Sequence, residues 1–315
     1  MFSKLKVPDL KLKGRAASTA TPITSQIIPQ PGLSEFQVSG ASNPNIDIVF
    51  VHGLNGSSAE TWKHHDTGFW WPEQLGNDLP DAHILLFNYD TFFDPTLRGT
   101  NLIRIPDIAR NLCYQLSENR FENGAKRRPL VMIGHSLGGL IIKKALIECN
   151  EDLTPEPEDI LWSTISILLF GTPNAGSFAS DQKRVQIVKW IGESVGYQVP
   201  PRIFEALRAH SLELYELSAS FQRLKIWNTP MDANPSMLTF YETVTQDKLG
   251  IQVVDETSAK VGVRGEKARG VQANHTQMVR FYNENDPTYK SLETKSALVQ
   301  PMQLLHFHLL RHIQQ

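Results

Sequence analysis

Short, mostly apolar runs alternate along the chain with stretches whose apolar positions recur at helical spacing. Ile46-Asp47-Ile48-Val49-Phe50-Val51 ends in His52-Gly53 and reads as a buried strand followed by a turn. His83-Ile84-Leu85-Leu86-Phe87 is a second such run, closed by Asn88-Tyr89-Asp90. Pro129-Leu130-Val131-Met132-Ile133 is a third and leads straight into Gly134-His135-Ser136-Leu137-Gly138-Gly139. Ile165–Phe170 is a fourth, stopped by Gly171-Thr172-Pro173. Met237–Tyr241 and Ile251–Val254 supply a fifth and a sixth.

Helical spacing fills the intervals. Ile105, Ile108, Leu112 and Leu116 recur in a segment that starts near Pro106, a residue suited to a first helical position. Leu140 to Cys149 reads as a helix, followed by an acidic, Pro-containing loop from Glu151 to Asp159. Asp181 to Leu224 is helical in pattern and holds no clear strand. The chain ends in an amphipathic pattern at Leu304, Leu305, Leu309 and Ile313. Strands alternating with helices predict an α/β fold, a mostly parallel central sheet covered by helices on both faces. No internal repeat is visible. The folded domain is expected over residues 46–315, with a helical cap insertion at about 181–224.

Composition narrows the functional classes. A chain of 315 residues with 41% hydrophobic and 20% charged residues has enough apolar content for one large α/β domain or two smaller ones. A formal net charge of −2 gives no case for a nucleic-acid binder. No apolar run approaches the roughly 18 residues of a membrane span, and no secretory pattern opens the chain. The intracellular, most simply cytoplasmic, location is therefore expected, with a mitochondrial or membrane-associated one as the alternative. Cys113 and Cys149 are the only cysteines, and their apolar, helical surroundings favour two reduced core thiols over a disulfide or a metal site.

Residues 1–45 differ from the rest. Lys4, Lys6, Lys11, Lys13 and Arg15 face one acid, Asp9, ahead of a Ser-, Thr-, Ala- and Pro-rich stretch. A disordered, solvated tail is the first reading. A mitochondrial targeting segment, weakened by Pro8 and Asp9, and a loose peripheral contact with anionic lipid are the others.

The chemistry lies at Gly134-x-Ser136-x-Gly138. A sharp strand-to-helix turn lifts a serine hydroxyl above the sheet, and flanking glycines let backbone and helix pack without a Cβ clash. The bare pattern is weak, but the preceding strand and following helix make it specific for a nucleophile of acyl transfer. Such a serine needs an oxyanion hole. The N–H of Leu137, next after the nucleophile, is one donor, and the N–H of Leu54, in His52-Gly53-Leu54-Asn55-Gly56, is the candidate for the second. The His52 side chain reads as a loop support.

Five histidines follow Ser136. His210 falls in the helical insertion, and His306, His308 and His312 fall on the terminal helix. His275 lies in a loop beyond the sixth strand, the place for a general base. The acid should end the strand before: Glu242 is the first choice and Asp255, at the end of the following strand, the runner-up. No metal site is expected, because His64-His65-Asp66 lacks zinc-ligand spacing, and no nucleotide loop or other cofactor motif occurs.

Ile48–Leu54, Phe69-Trp70-Trp71-Pro72, Gly134–Gly139, Phe170-Gly171-Thr172-Pro173 and Asn274-His275 occur in this order. The set resembles intracellular serine esterase/lipase-like α/β-hydrolases, including mitochondrial serine-active-site proteins and the hydrolase domains of fungal NLR-like proteins. The resemblance spans about Ile46 to Tyr282. It implies an α/β-hydrolase fold and hydrolysis of a carboxylic ester, of a small molecule or of a lipid. Asn174 departs from it, standing where Gly-Thr-Pro is followed by histidine. Apolar residues of the insertion, among them Val185, Ile187, Trp190 and Leu207, suit a lid over an apolar pocket or an ordinary packed cap. A signalling or interaction module of the same fold with little turnover is the competing functional reading.

Overall fold

The computed structural model describes residues 31–36, 44–54, 56–89, 104–152, 154–174, 212–229, 234–246, 250 and 252–293. Most of the expected cap, the expected terminal helix and residues 1–30 lie outside the described residues.

Seven strands form one sheet in the order β1-β3-β2-β4-β5-β6-β7. They are β1 (Gly32–Phe36), β2 (Ile46–Val51), β3 (Ala82–Asn88), β4 (Leu130–His135), β5 (Thr164–Phe170), β6 (Ser236–Glu242) and β7 (Lys267–Val271). β1 pairs antiparallel with β3, and every other pairing is parallel. The described helices are α1 (Trp71–Asp78), α2 (Ile105–Glu122), α3 (Leu137–Glu151), α4 (Pro155–Ser163), α5 (Leu212–Gln222), α6 (Glu256–Ala259) and α7 (Pro287–Glu293).

The apolar runs of β2, β4 and β5 are buried along their whole length. Alternate side chains point to opposite faces of a strand, so each run feeds two cores. Val49, Val51, Leu130 and Met132 join α2, α3, α4 and α5 on one face. Ile48, Phe50, Val131 and Ile133 join Trp62, Trp71, Tyr289 and Leu292 on the other. Helices thus cover both faces, as the strand–helix alternation predicts. Leu214, Leu217 and Phe221 of α5 pack in the first core, so the end of the insertion is an ordinary packed helix.

Two strands correct the sequence reading. Gly32–Phe36 falls inside the segment read as a disordered tail, yet it forms the edge strand β1 in register with Ile84–Asn88. Ile251–Val254 was expected as the last strand. Gln252, Val253 and Val254 are instead irregular, and the last strand is Lys267–Val271. Both misreadings have one cause. β1 and β7 are sheet edges, half solvated, and carry Ser34, Glu35, Lys267 and Arg269 in place of an apolar run.

A buried charge organises the end of the sheet opposite the strands' C-termini. Asp47 on β2 is fully buried and accepts from Arg120 (2.5 Å), Arg128 (2.9 Å) and His83 (3.1 Å). Arg120 also donates to Asp159 at 3.0 Å. Pairing of this kind is what makes a buried carboxylate tolerable. His83 lies 3.5 Å from Glu35, which also accepts from Asn119 and Asn123, so β1 is tied to the same network.

Candidate active site

The parallel strands deliver the site at their C-terminal ends. β4 stops at His135, α3 starts at Leu137, and Ser136 between them has φ 52° and ψ −120°. A positive φ in a residue with a Cβ is strained and persists only where the surroundings hold it. Here the Ser136 N–H donates to the Phe170 carbonyl at 2.8 Å, and the Thr172 hydroxyl donates to the Ser136 carbonyl at 3.1 Å. A Cβ on Gly138 would collide with the carbonyl oxygens of Val51 and His52, so only glycine lets α3 start this close to the end of β2. The same closeness brings the next loop to the serine: a Cβ on Gly53 would sit 3.1 Å from that of Ser136. Leu54 follows Gly53 directly. Leu137 opens α3, where an N–H has no intrahelical acceptor and the helix dipole favours negative charge.

His275 follows β7 by four residues, in the turn after Val271. Its carbonyl accepts from His135 Nε2 at 3.0 Å. Its ring lies over Gly171, whose φ of 54° and lack of a side chain are both required, since a Cβ there would stand 2.9 Å from the imidazole. Gly171-Thr172 therefore touches both Ser136 and His275. His275 Nδ1 faces Glu242 Oε2 at 3.3 Å, and both side chains are buried. Nε2 is buried without a hydrogen-bond partner among the described residues. Trp71 fixes the far side of this turn by donating its indole N–H to the Val279 carbonyl at 2.9 Å, which accounts for the Phe-Trp-Trp-Pro motif.

The two candidate acids have different surroundings. Glu242 ends β6, fully buried, and its Oε1 accepts the Val254 N–H at 2.6 Å. Gln252 donates to its carbonyl at 3.0 Å. The apolar segment once expected as a strand thus folds over this carboxylate, with Val253 and Val254 buried. Asp255 caps α6, accepting the Ser258 N–H at 2.8 Å, and is not joined to His275. Glu242 and His275 are in contact, Gly171-Thr172 touches both His275 and Ser136, and Asp255 is not joined to them.

Neighbouring histidines are kept neutral. Burial, and then repulsion from His275, hold His135 well below the usual histidine range. Burial pushes His52 down to about 4, against an opposing hydrogen bond to the Gly53 carbonyl. His52 donates from Nδ1 to that carbonyl at 2.8 Å and stacks on Tyr89 with centroids 4.2 Å apart. It supports the loop, as expected. His135 was not singled out from the sequence beyond the motif; its position next to the serine was the available signal. Asn174 is buried and donates to the Ala259 carbonyl at 2.6 Å, while its own carbonyl accepts from Ser218 at 2.5 Å. Lys143, buried on α3, donates to the same Ser218 hydroxyl at 3.2 Å, so Ser218 ties α5 both to α3 and to Asn174 beyond β5. Among the described residues no cluster of His, Cys, Asp and Glu could hold a metal ion.

The fold and this constellation define an α/β-hydrolase. The sheet and helices align with the mature lipase BlEst2 of Bacillus licheniformis at a TM-score of 0.55, with 17% identity over 80% of this chain and 94% of that one. A structure from the Nitrososphaera gargenis carboxylesterase work aligns at 0.51, with 12% identity over 85% and 94%. Residues 42–223 match the family model described as "Putative serine esterase (DUF676)", and the chain belongs to that serine esterase family. Protein SERAC1 of Danio rerio is 27% identical over 240 residues, and that of Homo sapiens 26% over 247 residues. Each alignment covers 69% of this chain, which spans about a third (34%) of the length of these relatives.

Proposed function

We propose that the chain hydrolyses carboxylic esters through an acyl-enzyme on Ser136. The observation that carries this reading is the buried His275–Glu242 contact, which leaves Nε2 without a hydrogen-bond partner among the described residues, next to the Gly171-Thr172 segment that also holds Ser136 in its strained turn. With Nδ1–H directed at Glu242, Nε2 presents its lone pair and takes the Ser136 proton as Oγ attacks the ester carbonyl. The Leu137 and Leu54 N–H groups hold the oxyanion. Collapse expels the alcohol, which takes the proton from His275. Water, deprotonated by the same imidazole, then releases the acid and restores the serine. Glu242 keeps the tautomer and balances the transient imidazolium. No metal or cofactor enters these steps.

Ester hydrolysis measured on a series of p-nitrophenyl esters of increasing acyl length tests this. The parent is expected to turn over at least one member, and Ser136→Ala to lose that activity while melting as the parent does. A folded parent inactive across the series would return the chain to the interaction-module reading.

A further inference from the structure

Two thiols meet at the far end of α3. Cys113 on α2 and Cys149 on α3 are both free cysteines, and their Sγ atoms lie 2.7 Å apart. That is well inside the contact distance of two sulfur atoms and short of a covalent bond, so nothing stands between them. Cys149 is 1% exposed. Cys113 lines a surface groove of about 740 Å³ with Tyr114, Ser117, Phe121 and Glu148. Both thiols are buried, but Cys113, at 8% exposed and in the groove lining, is the nearer of the two to solvent. The ester-cleaving site uses neither residue.

We propose that Cys113 and Cys149 are a peroxide-responsive dithiol that closes to an intramolecular disulfide. The Cys113 thiolate attacks hydrogen peroxide, forming a sulfenic acid and releasing hydroxide, which takes up a proton. The Cys149 sulfur then attacks the Cys113 sulfur, loses its own proton and expels water. Two thiols and one peroxide give one disulfide and two waters. The order follows from access and from the thiols' surroundings. The hydrogen bond with Cys113, and then burial, push the Cys149 thiol up, so it is the poorer first nucleophile and serves as the resolving thiol. Closing the contact to a disulfide requires the sulfurs to approach by about 0.7 Å. The bond would join α2 to α3 across a 36-residue separation and restrict the unfolded chain. Ser136 is about 20 Å away along α3, so the dithiol acts on stability.

Treating the whole chain with hydrogen peroxide, followed by peptide mapping by mass spectrometry, tests this. The expected product is a Cys113–Cys149 linked peptide within one chain, two hydrogens lighter and reversed by dithiothreitol, with a melting temperature raised on the order of 5 °C. In Cys149→Ser, dimedone should trap a sulfenic acid at Cys113. In Cys113→Ser, Cys149 should stay unmodified. Sulfinic or sulfonic acid at Cys113 of the parent with no linked peptide, or links only between chains, would overturn the proposal.

Discussion

Ser136 is held at a positive φ by hydrogen bonds with Phe170 of β5 and with Thr172 just beyond it, and a strain of about 1–3 kcal/mol at one residue persists where such contacts fix it. The sequence pattern around it was readable because the chemistry of a tight elbow demands glycine at set spacings. The acid was less readable, since Glu242 and Asp255 both follow apolar residues and both precede His275. Only the fold shows that one carboxylate turns inward to the imidazole while the other caps a helix. Glu242→Gln should keep the Val254 hydrogen bond, because an amide oxygen still accepts, but disturb the imidazole tautomer. We expect its kcat to fall on the order of 10⁴-fold. Asp255→Asn should stay near the parental kcat and lose at most about 1 kcal/mol of stability through its cap. Esterase kinetics and urea unfolding of both variants check this pair. A larger kcat loss in Asp255→Asn would exchange the two roles.

The central strands could be read directly, since a strand buried on both faces has to be apolar throughout. The edges could not. β7 holds Lys267, Arg269 and Gly270, and only its pairing with Leu238–Glu242 identifies it. Conversely, Val253 and Val254 are apolar because they cover a buried carboxylate, which mimics a strand in one dimension. β1 was concealed in the same way, by a polar face and by its place directly after a Ser-, Thr-, Ala- and Pro-rich stretch. Its contribution is measurable. Phe36 packs edge-on against Trp70 with centroids 4.7 Å apart, and Glu35 completes the His83–Asp47 network. A chain starting at Gln37 should be less stable than one starting at Pro31 by about 2 kcal/mol. It should also self-associate more readily, because the edge of β3 is uncovered. Urea midpoints and light scattering of the two chains check this; equal midpoints would show that β1 adds nothing.

The whole molecule separates its two tasks along the strand direction. The buried Asp47 cluster secures one end of the sheet. At the other, β2, β4, β5, β6 and β7 deliver Gly53, Ser136, Gly171, Glu242 and His275 within a few residues of their C-termini, the usual location of a site in an open parallel sheet. Glycines and buried aromatics set the distances between these positions, and the proposed reaction rests on three of them, Ser136, His275 and Glu242. Membership of the serine esterase family and the shared fold with BlEst2 agree with this division. The most direct measurement is labelling with a fluorophosphonate probe, read by peptide mass spectrometry. An activated nucleophile should take one adduct per chain, at Ser136, and the adduct should vanish in Ser136→Ala and fall sharply in His275→Ala, both folded. An adduct on another residue, or none on the folded parent, would contradict Ser136 as the nucleophile.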